Sequence, residues 1–445
     1  MKKILLYIGL LIGFVGFAQD HFSGISTSSR IGILNGNVNP AEFSNLSKMV
    51  EVNLYGLSFS ASNDKIGLKD ISGSSDIEKI LFQGDKPINA RVDAQIIGPS
   101  VAFKILKWGF GITTKGNVKY DIIDFSPALG NALINNNLEN GISQSINSGL
   151  NQRVNSVSYG EVGFSAGRTF YETKTYKFSA GITFKMLFPG SYSNFGLNNL
   201  NGSVTQDVNG VFLTTTQPAN LNIAFSGNLA NGFNDSGNYT KSVFGGLNGL
   251  ATDIGFTYQL KDDNKYKVKV GMSVRNIGSM TFKDDNNQST NYTLNVIPDK
   301  TLNLNIFNDL TGLEDVKKYL VDNHYMTETA STKNFKVQLP TTFTTYVDLK
   351  VIPKVYVTAY MQQKVNKDNG NNQITTPNIY SITPRVNLGF FEAYVPVSVN
   401  EISGTNVGLG FRLGGFYMGT SSLVSALIQN NKQGDFYTGF RWSIL

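Results

Sequence analysis

Along this chain, apolar and polar residues alternate in long runs. Gly249–Ile277 shows the pattern most plainly. Thr252, Ile254, Phe256, Tyr258 and Leu260 fall on one side, with Asp253, Gly255, Thr257 and Gln259 on the other. After the polar turn KDDNK, Tyr266, Val268, Val270, Met272 and Val274 share a face, and Lys267, Lys269, Gly271, Ser273 and Arg275 share the opposite one. Strand side chains point to alternate faces, so this stretch predicts a β-hairpin with one apolar and one polar face. The runs are about 10 residues or longer, which matches the roughly 9–11 residues of a tilted membrane-crossing strand. The polar faces carry charges and glycine at mid-strand, as a water-filled or plugged lumen requires. These features predict an all-β chain folded as a closed antiparallel transmembrane β-barrel.

Taken in order, the strands begin with Met49–Ser62. Two follow between residues 91 and 122, where Val92, Ala94 and Ile96 alternate with Arg91, Asp93 and Gln95. Next come hairpins at about 154–188, turning at Glu172–Thr175, then Gly249–Ile277, then 337–363, 378–401 and 405–420. The chain closes on Asp435–Leu445, with Phe436, Thr438, Phe440, Trp442 and Ile444 opposite Tyr437, Gly439, Arg441 and Ser443. Long connections intervene and are partly helical, with helix-like pieces at Asp76–Phe82 and Gly312–Asn323. Short periplasmic turns with both termini on that side demand an even number of strands. The count is about 14 if the 195–226 hairpin belongs to an outer loop, and 16 if it joins the wall. Wall side chains alone do not fill so wide a ring. Water, the N-terminal segment or an inserted loop must occupy the rest.

The chain opens MKKILLYIGLLIGFVGFAQ. Lys2 and Lys3, the apolar run Ile4–Phe17, and small residues Gly16 and Ala18 form a secretory signal peptide cleaved after Ala18. The expected organisation is a signal peptide over 1–18, an N-terminal plug or periplasmic segment over 19–48, and the barrel over 49–445. In the second of these, Arg30, Asn39 and Pro40 mark the plug, with Pro40 opening a short helix capped by Asn39. A mobile tail is the alternative. The chain holds 45 Gly, 30 Phe and 20 Tyr, only 16% charged residues and no cysteine. The last excludes a disulfide scaffold and thiol chemistry. A formal charge of +6, with no basic cluster among aromatics, argues against nucleic-acid binding.

The hairpin GLATDIGFTYQL…VKVGMSVRNIG resembles a pattern in the fatty-acid-transporter-like (FadL/PorV-type) barrels of Bacteroidota. The runs VGLGFRLGGFYMGTSSLVSALI…DFYTGFRWSIL, LPTTFTTYVDLK and NGNVNPAEF look closer still to a Bacteroidota outer-membrane barrel family of unknown function. The resemblance implies a barrel of fourteen strands in the cell outer membrane, but brings no compact binding motif.

Candidate chemistry is sparse. The two histidines, His21 and His324, fall in an N-terminal segment read as flexible and in a loop, away from a Ser or Asp partner, so no enzyme is expected. No metal or cofactor motif occurs. Lumen-facing candidates are Arg91, Asp93, Gln95, Lys115, Lys119, Asp121, Lys185, Asp253 and Arg275, as a selectivity surface, plug contacts or inner-wall ion pairs. A face test follows: Ile254→Arg should impair insertion and Thr257→Arg should be tolerated. Two functions stay open. One is an outer-membrane barrel, surrounded by lipid, that passes or binds a small hydrophobic compound through a plugged lumen. The other is a non-transporting subunit or partner of envelope proteins in a secretion or barrel-assembly complex.

Overall fold

The computed structural model describes residues 21–73, 76–134, 143–227, 244–262, 265–283, 287–310 and 312–444; the segment read as a signal peptide lies outside them. Fourteen strands follow one another around a ring: β1 (Val50–Asn63), β2 (Ile88–Ile97, continued as Ser100–Ile105), β3 (Trp108–Phe125), β4 (Ser143–Glu172), β5 (Tyr176–Asp207), β6 (Gly249–Asp262) and β7 (Lys265–Phe282). The second half comprises β8 (Phe335–Gln338 and Thr342–Ile352), β9 (Val355–Lys364), β10 (Ile379–Asn387), β11 (Phe391–Tyr394 and Val397–Asn400), β12 (Gly404–Val407 and Leu409–Leu413), β13 (Phe416–Thr420) and β14 (Gln433–Ile444). Each strand pairs antiparallel with the next. β14 pairs back onto β1, from Ile444 opposite Val50 to Gln433 opposite Ser62. Connections of two or three residues follow every even strand up to β12, and the long ones leave from the other end.

Alternation sorts the side chains as its period requires. Ile254, Phe256 and Tyr258 are exposed on the outward face, while Asp253 and Thr257, at the alternate positions, are buried inside. Near the short-turn end the outward face carries a band of aromatics, among them Trp108, Phe170, Tyr171, Phe178, Phe440 and Trp442. Two positions depart from simple alternation. A bulge between Tyr266 and Val268 turns Tyr266 inward, where its hydroxyl donates to Asp348 Oδ2 at 2.5 Å, and leaves Lys267 exposed. Thr257, taken as free to accept an arginine, accepts a hydrogen bond from Asn45 Nδ2 at 3.1 Å and has no spare room.

β4 and β5 are far longer than the hairpin 154–188 that periodicity suggests, at 30 and 32 residues. Their distal halves rise as a sheet beyond the wall. The end of β5 pairs with Gly210–Thr215, and its middle pairs with Ala219–Ser226. Ala219–Ser226 pairs with Gln288–Leu294, and that strand with Met326–Thr332. The 195–226 hairpin therefore extends β5 outward and adds nothing to the ring. The helix-like pieces stand at Ile77–Phe82, with Asp76 accepting from Lys79 N, and at Leu313–Asp322.

The N-terminal segment lies within the ring. Phe22, Ile25, Ile31 and Leu34 pack on Ile97, Tyr394, Tyr417 and Tyr437 of the inner wall, each worth about 1.5–3 kcal/mol when removed from water. Asn39 accepts from Ala41 N at 3.0 Å and starts a 3-10 turn, Pro40–Asn45. That turn rests on a row of glycines, one from each of four neighbouring strands: Gly109, Gly167, Gly181 and Gly255, directly opposite one another in register. A Cβ at Gly109 would stand 1.9 Å from Phe43 O, and one at Gly181 2.4 Å from Pro40 C. Backbone meets backbone here because no side chain intervenes.

Valine suits a strand but fills this seat. Gly181→Val should leave the wall paired and loosen Pro40–Asn45 by about 1–3 kcal/mol, the usual cost of overpacking. Trypsin cleavage at Arg30, which is exposed, should speed up about tenfold while the heat-modifiable gel mobility of the folded ring is unchanged. Unaltered protection of Arg30 would show that the glycines are not the seat.

Candidate functional site

The inner face is charged, and its charges are paired across neighbouring strands. Arg91 of β2 meets Asp121 of β3 at 2.5 Å, and Asp93 meets Lys119. Lys115 of β3 lies 3.1 Å from Glu161 of β4, and Lys185 of β5 lies 2.7 Å from Asp253 of β6. Gln95 donates to Asn117 at 3.0 Å, and Arg275 to Gln362 at 2.5 Å. Arg385 meets Asp348 at 2.5 Å, Arg412 meets Glu392 at 3.3 Å, and Arg441 of β14 meets Glu51 of β1 at 2.9 Å across the seam. Burial in a low dielectric makes an unpaired charge costly, so the pairs form wherever cation and anion face each other.

The N-terminal segment joins this system. Glu42 lies 2.8 Å from Lys269 and accepts from Tyr346 at 2.5 Å. Ser28 donates to Glu392 at 2.8 Å, and Asn39 Nδ2 donates to the carbonyls of Phe256 and Met272. Asn39 and Pro40 are buried in the seat, whereas Arg30 is exposed. His21 corrects the reading of a flexible solvated residue: its Nε2 stands 3.1 Å from Asp93 Oδ1, held there as Phe22 buries under Tyr417 and Tyr437. His324 is an exposed loop residue. Glu42, Glu51, Glu161, Asp348, Arg385, Glu392, Arg412 and Arg441 were not singled out as interior candidates, although strand parity points to several of them.

A second element enters from the long-loop end. Residues 365–378, between β9 and β10, run down into the ring. Arg153 donates to Asp368 O at 2.5 Å, Tyr192 to Asn371 O at 2.7 Å, and Thr375 to Asp121 Oδ2 at 3.0 Å. Ile374 is fully enclosed beside Phe282 and Phe335.

A large apolar space lies on the other side of the sheet. On β3, Lys119 and Asp121 face inward, so Tyr120 and Ile122 face out; on β4, Asn155 faces in and Val154 out. β5 has a bulge at Pro189–Gly190. Below it the outward residues are Phe184, Met186 and Phe188; above it they are Ser193, Phe195 and Leu197, while Tyr192 and Asn194 bond inward to Asn155. The extra residue restores an apolar outer face where unbroken alternation would have placed asparagine.

Over this face fold the helices Pro127–Ile134 and Leu313–Asp322 and the 3-10 turn Leu304–Asn308. Between them and the sheet is a cavity of about 140 Å³. Val154, Phe195, Leu213, Leu294, Phe307 and Val316 line it, with no charged side chain. Ser193 spends its hydroxyl on Ser156 at 2.7 Å. The sequence signal for this site is the apolar density of Leu302, Leu304, Phe307, Leu310, Leu313, Val316 and Leu320 within what reads as a water-facing loop.

Ring, charged interior and apolar outward face define a mainly antiparallel β protein of fourteen ring strands. Among the described residues no helix is long and apolar enough to cross a membrane. The chain belongs to a family of unknown function, DUF5723, which matches residues 40–421. No curated protein matches it. Solved structures similar to it include the Ralstonia pickettii toluene transporter TbuX, at 9% identity over 98% of this chain and 100% of that one, with a TM-score of 0.46. The monoaromatic hydrocarbon channel CymD matches at 12% identity over 96% of each chain, with a TM-score of 0.45. A Pseudomonas aeruginosa FadL homologue matches at 7% identity, over 96% of this chain and 98% of that one, with a TM-score of 0.41.

Lys269→Met strips Glu42 of its cation inside the ring. It should destabilise by about 3–5 kcal/mol, and Lys269→Met combined with Glu42→Gln should recover most of the loss. Denaturant midpoints in one detergent compare the three proteins; equal midpoints for the single and double variants would show that the pair is not coupled.

Proposed function

We propose that this protein is an outer-membrane β-barrel that binds a small, uncharged, apolar compound in the cavity above its wall, with the N-terminal segment as a plug in its lumen. The cavity is the observation that carries the reading. A dry cavity of roughly 150 Å³ lined by Leu, Ile and Phe takes up benzene, and this one has that size and character. A carboxylate entering it would find no cation, at a cost of several kcal/mol.

The membrane assignment rests on several features together. The ring leaves no strand edge between β1 and β14, which hydrocarbon would not tolerate. Its outward face is apolar with an aromatic band, and its inner face is polar, as in membrane barrels. The N-terminal reading as a signal peptide supports export. Inside, the seated segment and the inserted 365–378 loop occupy the lumen, so passage through it requires their displacement.

Saturation-transfer NMR on protein in lipid nanodiscs should detect toluene and hexane but not hexanoate. Leu313→Trp, which fills the cavity from a half-buried position, should weaken toluene binding at least tenfold, or about 1.4 kcal/mol. Equal binding of hexanoate, or of toluene to the filled variant, would overturn the assignment. Ile254→Arg, on the exposed outer face, should impair insertion by about 2–4 kcal/mol, read as loss of the folded fraction in a liposome assay.

A further inference from the structure

We infer that the cavity exchanges its ligand with the outer leaflet of the membrane along the outward face of β2 and β3, and not with the lumen. This rests on the reading that the cavity binds an apolar molecule, and adds where that molecule comes from.

The lumen side is walled off. The β3–β4 ladder is continuous from Trp108 opposite Arg168 to Ile123 opposite Arg153. Behind it stands a polar layer: Arg91 with Asp121, and Asn155 with Tyr192 and Asn194. The 365–378 loop is bonded to that layer from within. An apolar molecule passing from cavity to lumen would have to part strands and cross paired charges.

The outer side offers a continuous apolar surface. On β2 it runs through Ile96, Ala94, Val92 and Ala90; on β3 it runs through Ile112, Val118, Tyr120 and Ile122. At the lower end Ile96 and Ile112 are 54% and 43% exposed, within the outward belt. Thr114 and Gly116 interrupt the run on β3, but the Thr114 hydroxyl is donated to Pro99 O at 3.0 Å and Gly116 lies opposite Ile96, whose side chain covers that level of the face. At the upper end a second, smaller space of about 30 Å³ opens beneath Ile66 and Ile71, against Ala90, Val92, Tyr120 and Ile122. Tyr120 lines both this space and the main cavity. The two spaces therefore abut at Tyr120 on one face, and Val92 and Tyr120, opposite one another in register, lie directly above the exposed part of that face.

Partition favours the same route. Each CH₂ gains about 0.8 kcal/mol on leaving water, so an apolar solute is concentrated in the bilayer before it meets the protein. A site that abuts the lipid-facing wall draws on that reservoir directly.

The test uses full-length protein in liposomes and an uncharged aryl diazirine, flash-activated at intervals after addition. Mass spectrometry follows labelling of the cavity segment Leu302–Leu320. Val92→Trp obstructs the outer path, and Ala90→Trp does so independently should the first fail to insert. The lumen is locked separately by Ser44→Cys with Thr169→Cys, whose parent hydroxyls are 3.4 Å apart; the chain has no other cysteine to compete. Either tryptophan should slow cavity labelling at least tenfold, while oxidising the cysteine pair should change it less than twofold against the reduced form. A tenfold slowing on oxidation, or unchanged rates in both tryptophan variants, overturns the outer route. No cavity labelling of the unmodified protein at saturation overturns the binding reading itself.

Discussion

The pairing of β1 with β14 is the contact on which the rest depends. It joins residues near the two ends of the described chain, from Val50 with Ile444 to Ser62 with Gln433, and it removes the last open strand edge. A row of unpaired backbone groups facing hydrocarbon would cost several kcal/mol each. Once the pairing is made, inside and outside are defined for every strand. Outward positions then carry the apolar residues, and inner positions are free to carry charge only where partners stand opposite. The salt bridge between Glu51 and Arg441 crosses this same seam on the inner side, so one joint is held by both ladder and ion pair.

The charged interior follows from that enclosure. Neighbouring strands present opposite charges at facing positions, and the N-terminal segment supplies Glu42 and Ser28 where the wall offers Lys269 and, through Arg385 and Arg412, the Glu392 carboxylate. Buried pairs of this kind contribute little net stability over an apolar packing. Their effect is orientation, because a segment shifted by one residue would meet the wrong partners. Apolar contacts of Phe22, Ile25 and Leu34 supply the driving force, and the charges set the position.

Much of the ring was legible in the sequence, since period-two alternation is enforced wherever the two faces of a strand meet different solvents. The count of fourteen followed from the spacing of short turns, and Asn39 with Pro40 marked the cap and first turn of the inner helix. What alternation could not show was where a bulge resets it. Tyr266 turns inward at one such point, and Phe195 and Leu197 return to the outer face after another at Pro189–Gly190. The cavity was illegible for a related reason: its leucines and phenylalanines come from loop segments with no fixed period, and only their folding over β4 and β5 brings them together. His21 read as a loose residue because nothing local to it reveals Asp93, 72 positions away in sequence.

The glycine row has a consequence for the order of assembly. The seat for Pro40–Asn45 is made by β3, β4, β5 and β6, all later in the chain than the segment that occupies it. The segment is synthesised first yet has nowhere to dock until those hairpins exist. Once β1 has met β14, the ring has no side entrance. Contacts of such long sequence separation form slowly, because the entropy of closing the intervening loop must be met first. The N-terminal segment therefore gains its seat only once those four strands stand in register, and the four aligned glycines act as a mould for it.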